Sequence, residues 1–324
     1  MNEQFSIPTR RACAALFATF FLTVLAFLAV PTFAAARITR IVITRVETPT
    51  FGATSFGAVG QYEKLVGRAY GEVDPADPRN AIIADLGFAP KNAFGKVEYS
   101  TDIVILRPVD RSLGSHRVLY DVNNRGNLTA LPFFNDGLRT NDPTSAADAG
   151  NGFLMRQGYT IVSSGWDATV PSGFGMTVPV ARNPDGSSIV GPALEEFVID
   201  NSTTMTGPLT YAAATSDKSI ASLTVRVHYT DPPTVIPATD WAYVSPSLKA
   251  IRLLPAGKPF QQGRLYEFTY PAKDPLVAGL GFAATRDVAA FLRHAAADDV
   301  GTPNPLAGDA HSMYTFCYSQ PCRF

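Results

Sequence analysis

Cysteine is nearly absent from this chain: there are three, Cys13, Cys317 and Cys322, in 324 residues. No His or second Cys pair stands near them at ligand spacing, which excludes a zinc ribbon or finger, and no metal or cofactor is expected. An excess of charge of either sign is missing too. Lys plus Arg number 27 and Asp plus Glu 28, leaving a net charge of -1. Without a basic surface a nucleic-acid partner is not expected. Past residue 36 no apolar run is long enough to cross a bilayer, and neither internal repeats nor low-complexity tracts occur. What the chain has in quantity is Gly and Pro, 25 of each, which fits many turns between short strands and falls short of a disordered composition. Its length and apolar content suffice for one large domain or two ordinary ones.

The amino end reads differently from the rest. Arg10 and Arg11 precede an apolar stretch over 12–30 and then Pro31-Thr32-Phe33-Ala34-Ala35-Ala36. A cationic start, an apolar middle and an Ala-x-Ala site are the plan of a secretory signal peptide over 1–36, released before Arg37. The same apolar stretch also reaches the roughly 20 residues needed to span a bilayer, so a retained membrane anchor over 12–30 is the alternative. Ala12-Cys13-Ala14 lacks the hydrophobic residues that follow a twin-arginine pair, which favours ordinary export, to the periplasm or beyond. A mature exported chain keeps only Cys317 and Cys322. In an oxidising compartment two such thiols can pair. A strand entering a turn must bend sharply to bring them within about 7 Å, and the plainer expectation is a free pair.

Along the mature chain, β-rich runs and turns alternate. The run 37–48 is a strand by composition. The glycine-rich 51–60 lacks both a P-loop ending and a dinucleotide fingerprint, so it reads as a loop or bulge. Run 97–106 reads as a strand ending in the buried-looking Ile103-Val104-Ile105-Leu106, 118–122 is continuously apolar apart from Asp121 in the manner of a strand covered on both faces, and 159–163 is a third buried-looking strand. The polar segment from Asn123 to Gly152 is too long for an idle connection. Between about 168 and 275 period-two alternation takes over, as at Leu223, Val225, Val227 and Tyr229, and marks a β-rich insertion of half-exposed antiparallel strands. Ala284, Val288, Phe291, Leu292 and Ala295 form one helical stripe, stopped by Gly301 and Pro303. A last strand covers 312–317.

Ser319 follows that strand in a sharp turn, where a nucleophile elbow would stand. Cys317 and Pro321 occupy flanking positions that small residues usually fill. The loop Asn123-Asn124-Arg125-Gly126 is placed to offer backbone N–H groups of Asn124, Arg125 and Gly126 to an oxyanion, with the N–H of Gln320 as the second donor. An Asx turn accounts for the same loop equally well. The four histidines, His116, His228, His294 and His311, all precede Ser319. His228 falls on the polar face of a strand, His294 near a helix end, and the other two in turns. The adjacent pairs Glu195-Glu196 and Asp298-Asp299 point in different directions and read as solvated charge.

Several stretches together resemble the exported bacterial α/β-hydrolase domain-containing proteins. They are Ser55-Phe56-Gly57-Ala58-Val59-Gly60-Gln61-Tyr62-Glu63, Tyr120-Asp121-Val122-Asn123-Asn124-Arg125-Gly126, Asp148-Ala149-Gly150-Asn151-Gly152-Phe153-Leu154, Ser164-Gly165-Trp166-Asp167 and Gly279-Leu280-Gly281-Phe282-Ala283-Ala284-Thr285-Arg286-Asp287. Ser319-Gln320 and Arg323-Phe324 match the family's Ser-Gln and Arg-Phe pairs, while Cys317, Pro321 and Cys322 depart from its small residues. The resemblance implies an α/β chain: the amino-terminal part of an α/β-hydrolase fold, a mixed sheet with helices, over 37–324. It implies a serine hydrolase of the esterase type with Ser319 as nucleophile, acting on a small-molecule ester or related acyl substrate. In that family the acid and histidine come later in the chain, so the expectation is a piece cut at its elbow and inactive alone. The alternative is a non-catalytic exported binding or scaffold protein.

Overall fold

The computed structural model describes residues 36–170 and 172–323. The expected leader or anchor, apart from Ala36, lies outside them, as do Cys13 and Phe324. Three long strands open the fold: β1 (Ala36–Glu47), β2 (Tyr62–Val73) and β3 (Val97–Pro108), paired as an antiparallel meander. Next come β4 (Arg117–Val122), the short helices α1 (Ala130–Asn135), α2 (Ala146–Ala149) and α3 (Phe153–Arg156), and then β5 (Thr160–Ser164). The strands β6 (Met176–Thr177), β7 (Val190–Val198), β8 (Gly207–Pro208), β9 (Ser222–Arg226), β10 (Thr234–Ile236), β11 (Trp241–Tyr243), β12 (Ala250–Leu253) and β13 (Leu265–Lys273) follow. The chain closes through α4 (Leu280–His294) and β14 (Ser312–Cys317).

The main sheet has the order β1-β2-β3-β5-β4-β14, with β6 beside β3. Its first half is antiparallel, whereas β4 runs parallel to both β5 and β14. Five of six residues of β4 are buried, as expected of a strand covered on both faces. One cover is α4, whose stripe of Ala284, Val288, Phe291 and Leu292 is buried against the sheet. A Cβ on Gly281 would lie 2.0 Å from the carbonyl oxygen of Trp166. That contact sets the amino end of α4 at the carboxyl end of β5. The other cover is a cluster of Phe51, Phe56, Tyr62, Leu131, Leu154 and Met155, drawn from the glycine-rich segment, the start of β2 and the short helices.

A second core forms between Val190 and Lys273. The sheet β10-β9-β13-β7 and the three-stranded β11-β12-β8 enclose Trp241, Phe268, Tyr270 and Phe260. Trp241 and Phe268 meet edge to face at 5.0 Å, a geometry that adds to the burial of both rings.

The expectation of an α/β fold, the amino-terminal part of an α/β-hydrolase with helices on a mixed sheet, is overturned. Strand accounts for 34% of the structure and helix for 19%, spread over several antiparallel sheets. Among the described residues only α4 exceeds two turns. The physical reason lies in the connections: 123–152 is punctuated by Gly, Asn and Pro, which support turns of four to six helical residues and no more. Among the described residues no helix is long and apolar enough to cross a membrane.

Of Asp298 and Asp299, read as solvated charge, Asp299 is exposed as expected and Asp298 is buried instead. Asp299 pairs with Arg37. Asp298 is buried and accepts from the backbone N–H groups of Ile41 at 2.9 Å, Thr302 at 2.7 Å and Val300 at 3.1 Å, joining the turn after α4 to β1. Burial pushes its carboxyl upward, but these donors outweigh that and hold it below the ordinary carboxylate value. With the folded value below the unfolded value of about 3.9, its stabilisation is present above that value and lost as pH falls through the folded one. Asp298→Asn is expected to lower stability by about 1–3 kcal/mol at pH 7. In urea titrations its deficit should shrink below about pH 4; a deficit that does not change with pH would contradict this role.

Candidate active site

The site grows from the polar carboxyl end of β4. Asp121 is buried and accepts from the N–H of Thr129 at 2.7 Å, its hydroxyl at 2.6 Å and the N–H of Ala130 at 2.9 Å, anchoring the start of α1. Burial pushes its carboxyl up against the pull of those donors. Asn123 is fully buried. Its amide nitrogen donates to Ser163 Oγ at 3.1 Å and the Ser164 carbonyl at 2.7 Å, while its side-chain oxygen accepts from the N–H of Gly126 at 2.8 Å. The Asn123 carbonyl accepts from the Trp166 indole at 2.7 Å. The loop 123–126 is thus an Asx turn pinned to the end of β5.

Both ends of that turn are committed elsewhere. Arg125 has φ 48° and Gly126 φ 86°. A Cβ at Gly126 would come within 2.8 Å of the Ser172 carbonyl, so glycine serves both the backbone conformation and the close approach of 172–174. The Arg125 side chain holds Asp167 at 3.0 Å and Thr169 at 3.2 Å.

Ser319 lies two residues beyond β14, exposed, with φ 65°. A serine in this left-handed region costs about 1–3 kcal/mol and persists only where its surroundings enforce it. A 3₁₀ turn, Gln320–Arg323, follows at once, and the Cys322 N–H donates to the Ser319 carbonyl at 3.1 Å. Cys317 and Cys322 are joined in a disulfide with Cα atoms 5.1 Å apart. The free pair expected from a strand running into a turn is therefore absent, because the left-handed residue and the 3₁₀ turn fold the chain back within bonding reach.

The register of β4 on β14 sets Val122 beside Cys317, so the two loops leave the sheet together. Asn124 Nδ2 donates to the Tyr318 carbonyl at 3.2 Å, tying them. Of the proposed oxyanion donors, two are already used: the Asn124 N–H bonds the Asn127 carbonyl at 2.9 Å and the Gly126 N–H bonds Asn123. The backbone N–H groups of Arg125 and Gln320 have no hydrogen-bond partner among the described residues.

Beside this junction opens a cleft of about 390 Å³, walled by Asn124, Asn127, Thr129, Asn141 and Tyr318 and bearing one charged side chain, Arg139. The Arg139 guanidinium sits 5.6 Å from the centre of the Phe133 ring, which itself packs on Tyr318 at 4.6 Å. Neither Arg139 nor Tyr318 carries a sequence signal beyond its type, since only folding brings 139 to 318. The long polar segment that supplies Arg139 is held down by Lys64. That lysine is fully buried, and its Nζ meets Asp142 at 2.7 Å, Glu47 at 3.0 Å and the Pro143 carbonyl at 2.9 Å.

No histidine joins Ser319. His116 and His311 face each other, ring centres 4.7 Å apart, with Asp309 3.4 Å from His116. They flank the starts of β4 and β14, so the length of β14 separates them from Ser319, about 20 Å at 3.3 Å per residue. His294 ends α4, at the opposite end from Gly281 and so also away from the carboxyl ends of β4 and β5. His228 was expected on a strand; β9 stops at Arg226 and His228 turns back onto Asp231 at 3.1 Å. Glu195 and Glu196 point to opposite faces of β7, Glu195 accepting from Thr210 and Tyr270. Among the described residues no three His, Cys, Asp or Glu side chains gather as metal ligands.

No family model matches this chain, and neither does any curated protein or solved structure.

Asn123 carries the geometry, and its loss takes the acceptor from the Gly126 N–H and a donor from the Ser164 carbonyl and from Ser163 Oγ, which keeps its own bond to the Asp121 carbonyl. Asn123→Ala is expected to cost about 2–3 kcal/mol in chemical denaturation. A loss below about 0.5 kcal/mol, the range of ordinary surface changes, would show that the loop stands without it.

Proposed function

We propose that Ser319 is the nucleophile position of an esterase-like acyl-binding site, serving a small-molecule ester or related acyl substrate outside the cytoplasm. The observation that carries this is the conformation of Ser319: an exposed serine at φ 65°, between a strand parallel to its neighbour and a 3₁₀ turn. A strained residue of that kind is sustained by its surroundings, and such residues cluster at functional sites. The resemblance in the segments around Asn123–Gly126 and Ser319-Gln320 supports the same reading. In this reading the Ser319 hydroxyl adds to an acyl carbon, and the N–H groups of Arg125 and Gln320 receive the developing oxyanion. Arg139 gives the adjoining cleft a preference for acyl groups bearing a negative charge. An oxidising location is supported by the Cys317–Cys322 bond and by the leader-like residues 1–36.

Among the described residues no side chain accepts a hydrogen bond from the Ser319 hydroxyl, and the four histidines stand elsewhere. The chain by itself is therefore a binder, with no turnover. A non-catalytic binding protein is the second reading, and the histidine positions are what favours it.

Added imidazole separates the two, since a diffusible base can replace a missing one. A fluorophosphonate is expected to form an adduct on Ser319, located by peptide mass, at a rate that rises about tenfold or more with imidazole, a fraction of what a positioned base supplies. Ser319→Ala should abolish it. Hydrolysis of p-nitrophenyl acetate without imidazole should equal that of the alanine variant. No adduct on Ser319 even with imidazole would leave the binding-protein reading standing alone. The charge preference is checked with paired phosphonate probes of opposite charge: Arg139→Ala should reduce any advantage of the anionic probe by up to about fivefold, as loss of an exposed charge pair does.

A further inference from the structure

The Ser319 turn has few other restraints. Among the described residues β14 pairs on one side only, with β4. Beyond Cys317, among the described residues and outside the 3₁₀ turn's own bonds, the hydrogen bonds are those from Cys322 N–H to the Ser319 carbonyl and from Asn124 to the Tyr318 carbonyl, with Pro321 buried and the Tyr318 ring packed on Phe133. Tyr318, Ser319, Gln320 and Cys322 are all exposed. Against this stands one covalent tie, which encircles Tyr318, Ser319, Gln320 and Pro321. Where a strand turns this sharply, small flanking residues normally permit the bend. Here a sulfur–sulfur bond across the same positions enforces it.

We propose that the Cys317–Cys322 disulfide is a redox-controlled clamp: oxidised, it presents Ser319 in its exposed left-handed conformation; reduced, it releases the turn and withdraws the serine. The functional consequence rests on the reading of Ser319 as a nucleophile, while the clamp itself does not. The partner is a dithiol. One of its thiolates attacks the exposed Cys322 sulfur, the Cys317 sulfur leaves as thiolate and takes a proton, and a mixed disulfide forms. The second thiol attacks the dithiol's own sulfur in that mixed disulfide, so Cys322 leaves as thiolate and is protonated. Two electrons pass to the protein, and the dithiol becomes its own disulfide.

The test compares the full chain oxidised, reduced with dithiothreitol, and as the Cys317→Ser/Cys322→Ser variant. Amide hydrogen exchange is read for 318–323 and, as reference, for 117–122. Reduction is expected to speed exchange over 318–323 about tenfold or more, as local opening does, and leave 117–122 unchanged. The double variant should match the reduced chain with or without dithiol. The imidazole-assisted phosphonate adduct on Ser319 should fall about tenfold on reduction, tracking the lost conformation, and return on reoxidation. Unchanged exchange over 318–323, equal rises in both segments, or an adduct that forms equally fast in both states would each overturn the clamp. Faster local exchange with no adduct in either state would support the clamp and remove the nucleophile reading alone.

Discussion

The buried amide of Asn123 is the interaction on which the candidate site depends. A side chain with no exposure must satisfy both its donor and its acceptor inside the protein, and Asn123 does so by joining the end of β4 to the end of β5 and to its own loop. Asp121, one strand position before Val122, fixes the start of α1 in the same way. Between them they decide which backbone N–H groups are consumed and which are left facing outward. The loop geometry is thus a consequence of buried hydrogen-bond accounting, not of loop flexibility.

The same economy governs the long polar segment before β5. Little apolar area is available there, so the segment is held by Lys64, a fully buried cation surrounded by two carboxylates and a carbonyl. A buried charge is tolerated only with such partners, and removing either side would strand the other. By anchoring Asp142 and Pro143, Lys64 turns the preceding residues into the wall that carries Arg139. A folding constraint on β2 thereby shapes a cleft beside β14.

Periodicity made several elements legible. The strands at Val97–Pro108, Arg117–Val122, Thr160–Ser164 and Ser312–Cys317 and the helix Leu280–His294 coincide closely with runs whose apolar spacing has one physical interpretation. The balance of helix and strand was not legible, because the polar connections contain only short helices and turns and the alternating runs build sheets of their own. Asp298 shows a related limit: its neighbours in sequence suggest solvent, and one of the backbone donors that hold it, the Ile41 N–H of β1, lies more than two hundred residues away in the chain.

Residue type and local spacing determined that a serine would follow a strand, that an Asn-Gly loop would follow another, and that the histidines would be few. Only the tertiary structure decided that these two loops emerge side by side, that His116 and His311 gather at the opposite end of the same two strands, and that Cys317 reaches Cys322. The reason is that local sequence sets backbone conformation within a few residues, whereas strand order and register set which distant residues meet. The Ser319 turn joins both levels: serine alone does not prefer φ 65°, and the conformation arises where a parallel strand, a buried proline and a disulfide leave the chain no other path.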